Sequence, residues 1–191
     1  MLWEAVTMAL NIRPMTSADK TAIMHILRDT PEFKPAEVVV AEELLDWHLQ
    51  DPVGSGYHVL VAEAGGSVAG YVCYGPTPLT EGTWDVYWIA VSREGRGRGV
   101  GSALSGAAEG KIREASGRLV IVETSSKPEY ENTRRFYVCR GYEEVGRIGD
   151  FYAPGDDLVI FKKQLSCSIA PAAGEAACCC LNRPQSTCAQ C

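Results

Sequence analysis

The segment VSREGRGRGVGS, at positions 91–102, decides the fold because it separates two different hydrophobic patterns. Before it, residues 83–91 are rich in aromatic and β-branched side chains, which favour a strand. After it, apolar residues recur about every fourth position, at Val100, Leu104, Ala108 and Ile112. This period predicts a helix over residues 99–115 that packs by one face. The centre of the chain is therefore predicted to be a strand, a glycine-rich loop and a helix.

The glycine-rich loop has the features of an anion-binding site. Its glycines allow tight turns and a close approach of the backbone to an anion, and the N–H groups of the following helix's first turn present the positive end of its dipole. Arg93, Arg96 and Arg98 add three cations in a chain whose formal net charge is -6. We therefore expect a polyphosphate ligand here, the alternative being a mobile, solvated basic connection.

Spacing excludes two common nucleotide-binding loops. The dinucleotide-binding pattern GxGxxG would require glycine at position 100 or 102, where Val100 and Ser102 stand. The Walker pattern requires a GK[ST] tripeptide, which the sequence lacks. The loop therefore matches neither pattern.

Upstream of the loop, the sequence predicts three strands and two helices before residue 76. The elements are a strand at 11–14, a helix with Ser17 as N-cap that ends at Pro31, a helix at 37–49, and strands at 57–64 and 67–74. The second helix is expected to bury Leu44, Leu45 and Trp47. The Gly65-Gly66 pair predicts a hairpin turn between the two strands.

Downstream of the loop, the sequence predicts one central strand, one helix and a closing strand pair. Residues 119–124 form a continuous apolar run that ends in a carboxylate, which predicts a strand covered on both faces. Ser126, Pro128 and Glu129 open a helix that runs to about residue 140, and strands at 143–152 and 158–163 follow. The fold class is α/β, with a right-handed crossover from residue 83 to residue 124.

Composition narrows the function classes. The chain has 191 residues, of which 46% are hydrophobic and 22% charged, as in one ordinary globular domain. Its acidic balance argues against a nucleic-acid partner, and its apolar stretches are too short to predict a membrane span. We expect a cytoplasmic protein, monomeric or homodimeric, and the acidic balance suits a cationic substrate.

The cysteines separate a domain from a tail. Cys73 and Cys139 lie in the body, whereas the other six crowd the last 25 residues, at positions 167, 178, 179, 180, 188 and 191. This tail lacks a hydrophobic period and also lacks the paired CxxC spacing and histidines of a zinc site. We therefore predict a domain at 11–165, a disordered tail at 166–191 and no bound metal.

Two motifs in this order give the chain a family resemblance. The loop contains RxxGxG at Arg96, Gly99 and Gly101, and the predicted last helix contains NxxxFYxxxGY from Asn132 to Tyr142. Together with the aromatic strand before the loop, these motifs resemble the GNAT superfamily of acetyl-CoA-dependent N-acetyltransferases. The resemblance covers about residues 11–165, and Tyr142 stands where phenylalanine is common.

The resemblance implies a GNAT-like twisted mixed sheet of about seven strands with about four helices, whose fourth and fifth strands splay apart around CoA. It implies acetyl-CoA as co-substrate and acetyl transfer to a primary amine, of a small molecule or a peptide, by direct attack in a ternary complex. The implied cofactor contacts are the strand backbone, the phosphate loop and one asparagine: Ile89, Ala90, Val91, Arg96, Gly97, Arg98, Gly99, Val100, Gly101, Ser102 and Asn132.

The chemistry requires a base and benefits from an acid. An aliphatic ammonium group, with a pKa of about 10.4, must lose a proton before it attacks. Asp85 matches the position of the glutamate base in histone-acetylating members, and Glu123 matches that of ribosomal-protein-acetylating members. The alternatives are that Asp85 ends a strand in solvent and that Glu123 is a buried, satisfied carboxylate. Tyr137 is the expected acid for the departing thiolate, or else a core aromatic.

Three other functions stay open on the sequence alone. A non-catalytic module that senses acetyl-CoA would keep the Arg96 loop but would not need Tyr137 or either carboxylate. An acyltransferase that uses another acyl-CoA would share every motif, and a nucleotide-dependent enzyme of another class would prefer a nucleoside triphosphate. The acceptor is not identified, because in this superfamily the segment matching residues 30–41 varies with the substrate.

Overall fold

The computed structural model describes residues 10–165, so the predicted tail at 166–191 lies outside the described residues. Seven strands are present in this part of the chain: β1 Leu10–Pro14, β2 His58–Ala64, β3 Ser67–Pro76, β4 Thr83–Val91, β5 Leu119–Ser125, β6 Glu143–Ala153 and β7 Asp156–Gln164. The α-helices are α1 Lys20–Arg28, α2 Pro35–Gln50, α3 Val100–Glu114 and α4 Glu131–Cys139. The order agrees with the prediction and most bounds agree to within two residues, but the helix predicted to open at Ser126 begins as α4 at Glu131, after a 3-10 turn at Pro128–Tyr130.

One mixed sheet contains all seven strands, in the order β1-β2-β3-β4-β5-β7-β6. Neighbouring strands are antiparallel, except that β4 and β5 are parallel and are joined by α3. This confirms the predicted mixed sheet and the helical connection between two parallel strands. The turn between β2 and β3 has positive φ angles at Gly65 and Gly66, of 58° and 81°, which is the conformation that favours glycine.

Two hydrophobic cores lie on opposite faces of the sheet. On the first face, Leu104, Ala108 and Ile112 of the predicted α3 stripe are each 0% exposed. They pack with α4 and with side chains of β2, β3, β4, β5 and β7. On the second, α1 and α2 pack against β2, β3 and β4 through residues such as Leu27 and Leu45. We call these the α3 face and the α1–α2 face.

The first helix begins differently from the prediction. The N-cap is Thr16, not Ser17, and the chain makes a 3-10 turn at Ser17–Asp19 before α1. The Asp19 carboxylate accepts the Thr16 N–H at 2.8 Å and receives two hydrogen bonds from Arg13, also at 2.8 Å. An acidic residue three positions after the cap, paired with an arginine from β1, decides the start of the helix.

The prediction that Trp47 is buried is wrong. The buried side of α2 is formed by Ala41, Leu44, Leu45 and His48, which follow helical spacing. Trp47 points away from that stripe, is 48% exposed and stacks on Tyr57 with ring centroids 5.9 Å apart. His48 is buried instead, with its Nδ1 2.8 Å from the Tyr57 carbonyl oxygen.

The prediction that β5 is covered on both faces is also wrong. Val120 and Val122 are buried on the α3 face, but Ile121 is only half-buried and Glu123 is exposed. The reason is the placement of the helices, since the α1–α2 core contains no residue of β5. Within residues 10–165, no helix is both long and apolar enough to cross a membrane.

Candidate functional site

The central feature is a wedge between two parallel strands. β4 and β5 pair only at their beginnings, where Thr83, Trp84 and Asp85 lie opposite residues 119–121. Beyond Asp85, β4 continues to Val91 with no partner on that edge among the described strands. This open edge is six residues long, or about 20 Å at 3.3 Å per residue, and its backbone groups are free to bind an extended ligand.

A β-bulge lies in β4 where the wedge opens. Cys73 of β3 pairs with Trp88 and the next residue, Tyr74, pairs with Val86, so Tyr87 is the extra residue. Bulges re-aim the side chains that follow them. Val86, before the bulge, and Ile89, after it, both pack on the α3 face. Residues three positions apart would lie on opposite faces of a regular strand, so the bulge brings them to the same face.

The glycine-rich loop is held in shape by its own hydrogen bonds. A 3-10 turn at Arg93–Gly95 is capped by Ser92, whose Oγ accepts the Gly95 N–H at 3.1 Å. Gly97 and Gly99 then have φ angles of 70° and 79°, which are strained for other residues. These two glycines therefore allow the chain to turn directly into α3.

The N-terminus of α3 presents unpaired amides at the mouth of the wedge. The first bond of the helix runs from the Ala103 N–H to the Gly99 oxygen, at 2.9 Å. The preceding N–H groups, of Val100, Gly101 and Ser102, have no partner within the helix. Val100 itself is buried in the core of the α3 face. This arrangement fits a pyrophosphate, because amides and helix dipole act in the same direction.

Arg96 extends from this loop toward the segment between α1 and α2. Its side chain is 46% exposed, and its Nη2 lies 3.7 Å from Glu32 Oε2. Gly97, Arg98 and Gly99 are exposed beside it, and Asn132 is exposed on the first turn of α4. The predicted phosphate loop is therefore exposed from Arg96 to Gly99, whereas Val100 is buried.

The two candidate bases lie on the side of the sheet opposite α3. Glu123 is exposed near the end of β5, so the alternative of a buried, satisfied carboxylate does not hold. Partial desolvation and, secondly, the charge of Asp85 raise the pKa of the Glu123 carboxyl. Asp85 is half-buried and accepts a hydrogen bond from Thr77 Oγ1 at 2.7 Å. A raised pKa suits a group that accepts a proton from an ammonium ion.

Tyr137, on α4, lies on the α3 face of the sheet, opposite the two carboxylates. Its side chain is 4% exposed and packs on the α3 face, with ring centroids 5.2 Å from Phe136, 5.3 Å from Tyr142 and 6.2 Å from Phe161. Burial raises the pKa of its hydroxyl, which keeps the proton in place at neutral pH. Tyr137 and Glu123 therefore approach the wedge from opposite faces and do not form one contact cluster.

The sequence reasoning missed Tyr130 and Tyr152. The Tyr130 hydroxyl donates a 2.6 Å hydrogen bond to the Glu32 carbonyl oxygen, which ties the loop after β5 to the segment between α1 and α2. Burial, then the charges of Glu37, Asp156 and Glu32, raise the pKa of Tyr130 to about 12. The available signal was that Tyr130 follows the carboxyl end of β5, where loops of a parallel pair converge.

Tyr152 lies near three carboxylates, those of Glu123, Asp156 and Glu37, on one side of the wedge. Burial, then the charges of Glu123, Asp156 and Glu37, raise the pKa of its hydroxyl. Asp156 is itself buried, accepts a short hydrogen bond from Ser125 Oγ and has Lys127 Nζ at 3.5 Å. The surface across the wedge from α3 is therefore acidic and aromatic. No set of three or more potential metal ligands comes together in the described part of the chain.

Comparison with known proteins identifies this arrangement. The family profile described as Acetyltransferase (GNAT) family matches residues 20–142. A solved protein of the GNAT family from Desulfovibrio desulfuricans is 39% identical, with a TM-score of 0.79 over 82% of this chain and 99% of that chain. Comparison with curated protein sequences gave no match.

Two further solved structures share the fold. A ribosomal-protein-alanine N-acetyltransferase from Brucella melitensis is 25% identical, with a TM-score of 0.65 over 81% of this chain and 99% of that one. YncA from Salmonella typhimurium, solved with its cofactor acetyl-CoA, is 23% identical, with a TM-score of 0.67 over 87% and 99%.

Proposed function

The chain belongs to the GNAT acetyltransferase family, and on that premise we propose that it transfers an acetyl group from acetyl-CoA to a primary amine by direct attack in a ternary complex. The observation that carries the proposal is the coincidence of two features. The open edge of β4 leads along the wedge to the unpaired amides of α3. An extended amide-containing arm that ends in a pyrophosphate fits both.

On the cofactor side, different residues would bind different parts of acetyl-CoA. The backbone of Ile89, Ala90 and Val91 lies along the open edge, where it would pair with the amides of the pantetheine arm. The amides of residues 99–102 would bind the pyrophosphate, and Arg96 would add a charge-assisted contact. When bound, the cofactor supplies an acetyl thioester, which an amine attacks as the C–N bond forms and the C–S bond breaks.

The residues on the acceptor side handle protons. Glu123, whose pKa is raised, would take a proton from the incoming ammonium group. Tyr137 would give its proton to the departing thiolate, because a buried hydroxyl with a raised pKa stays protonated at neutral pH. The acidic surface around Tyr130 and Tyr152 favours a positively charged acceptor over a neutral one.

Ligand-induced stabilisation tests the cofactor site. Acetyl-CoA should raise the melting temperature, since a ligand selective for the folded state stabilises it. Arg96→Ala should reduce that rise, whereas Arg113→Ala should not, although Arg113 also pairs with a glutamate, at 3.6 Å from Glu109. Equal losses in the two variants would refute the loop assignment.

Turnover separates an enzyme from a non-catalytic sensor. Release of the CoA thiol is followed over a panel of primary amines, with the protein in catalytic amounts. The proposal expects at least one amine to be acetylated with many turnovers. Binding of acetyl-CoA without turnover for any amine would favour the sensor, and stabilisation by nucleoside triphosphates rather than CoA would favour another enzyme class.

A further inference from the structure

Glu32 occupies an unusual position at the mouth of the wedge. Its backbone oxygen is fixed by the Tyr130 hydroxyl, on the β5 side, while its carboxylate faces Arg96, on the β4 side. Next to it, Phe33 packs edge-on against Trp88 of β4 with ring centroids 5.4 Å apart. Glu32 therefore lies across the opening, within reach of both walls.

The carboxylate of Glu32 is poorly satisfied. Its Oε2 atom is shielded from solvent and accepts no hydrogen bond from the described residues. Arg96 Nη2 lies 3.7 Å away, whereas charge-assisted N–H···O bonds are about 2.7–2.9 Å long. The ion pair is thus loose, and a shielded carboxylate of this kind costs free energy unless a cation compensates for it.

A pyrophosphate would be a better partner for the same arginine. The guanidinium group binds phosphate oxygens through two parallel hydrogen bonds, and the amides of α3 would hold those oxygens in place. If Arg96 moves to the phosphate, the Glu32 carboxylate loses its compensating charge and attracts another cation. Glu37 adds to the negative field around Tyr130 and acts in the same direction, whereas Lys127 and Lys34 partly compensate the charge of Asp156, with Nζ atoms 3.5 Å and 4.0 Å from it.

We propose that Glu32 determines acceptor specificity: the cofactor's pyrophosphate competes with Glu32 for Arg96, and cofactor binding turns Glu32 into an anionic subsite for a second cationic group on the acceptor. The inference rests on the proposed function. By linkage, a doubly cationic acceptor must also tighten cofactor binding by the same factor as the cofactor tightens binding of the acceptor.

Binding of CoA, which cannot react, tests the competition by calorimetry. Glu32→Gln should tighten CoA binding by about two- to five-fold, the range for a half-exposed ion pair. Glu144→Gln is the matched control, because Glu144 pairs with Arg147 at 3.2 Å on β6 and lies outside the proposed machinery. In an Arg96→Met background, Glu32→Gln should no longer tighten binding. Equal tightening in both backgrounds would indicate direct repulsion of CoA by Glu32 and overturn the proposal.

A diamine tests the subsite. For the wild-type protein, saturating 1,4-diaminobutane should tighten CoA binding several-fold more than 1-aminobutane does, and Glu32→Gln should abolish that difference. An equal effect of the diamine on both proteins would overturn the proposal, because general attraction between the diamine and CoA would then explain it. Absence of CoA binding to the wild-type protein would overturn the proposed function as well, whereas CoA binding that is unchanged in Glu32→Gln overturns only this inference.

Discussion

Replacement of Tyr137 by phenylalanine separates its proton-donating role from its packing role. The side chain is 4% exposed and contacts three aromatic rings, with centroids 5.2–6.2 Å away. The substitution removes one oxygen atom and keeps the ring, so the volume is conserved. We expect the free energy of unfolding to change by less than about 1.5 kcal/mol, and the affinity for acetyl-CoA to stay near normal.

The turnover of Tyr137→Phe should change much more than its stability. Without Tyr137, the thiolate would leave unprotonated in a partly dry cleft, where an uncompensated anion is costly. Loss of one general acid typically lowers the rate by about 10²–10⁴-fold, which corresponds to about 2.7–5.4 kcal/mol in the activation free energy. This loss exceeds any change in stability that the structure predicts for the same substitution.

Tyr142 provides a control in the same aromatic cluster. Its ring lies 5.3 Å from that of Tyr137, but its hydroxyl donates to Glu109 Oε1 at 3.2 Å, on the side of α3. Glu109 is 3% exposed, so Tyr142→Phe should lower the free energy of unfolding by about 1–3 kcal/mol. Turnover should stay unchanged, because this hydroxyl does not face the wedge.

The two variants are compared by urea denaturation and by single-turnover release of the CoA thiol, which isolates chemistry from product release. The reasoning predicts a crossed result, in which Tyr137→Phe loses rate but not stability and Tyr142→Phe loses stability but not rate. If Tyr137→Phe keeps more than about a third of the wild-type single-turnover rate, Tyr137 is a packing residue and water protonates the thiolate.

Four further substitutions test the base, the α1–α2 core and the start of the first helix. Glu123→Gln should lower turnover and remove the acidic limb of the pH–rate profile. Asp85→Asn should only move that limb to lower pH, because the charge of Asp85 helps to raise the Glu123 pKa. The reverse result would make Asp85 the base. Tyr71→Phe should raise the free energy of unfolding by about 1 kcal/mol in urea, since the buried Tyr71 hydroxyl has no hydrogen-bond partner among residues 10–165, and a loss of stability would show that it has one. Asp19→Asn should lower the free energy of unfolding by about 1.5–3 kcal/mol near neutral pH, because Arg13 lowers the Asp19 pKa below its ordinary value of 3.8. The contribution of Asp19 to stability is present above pH 3.8 and is lost as the pH falls through the folded-state pKa. A stability difference between the two proteins that stays constant into acid would contradict the assignment.

The sequence by itself determined the local elements around the phosphate loop. A helix stripe such as Leu104, Ala108 and Ile112 depends only on spacing along the chain, and the structure buries all three. The Gly65-Gly66 turn and the turns at Gly97 and Gly99 are similarly local, because positive φ angles restrict the residue type at each of these positions. The family resemblance and the prediction of a phosphate-binding loop followed from these short segments.

The acceptor side required the tertiary structure. The bulge at Tyr87 depends on how β3 and β4 pair, and the exposure of Glu123 depends on where α1 and α2 stop covering the sheet. Glu32 and Tyr130 are 98 positions apart in the chain, and no periodicity in the sequence predicts their hydrogen bond. Such contacts arise from the packing of distant elements. Local spacing therefore predicts the phosphate loop, while the folded arrangement decides which carboxylates lie beside the wedge.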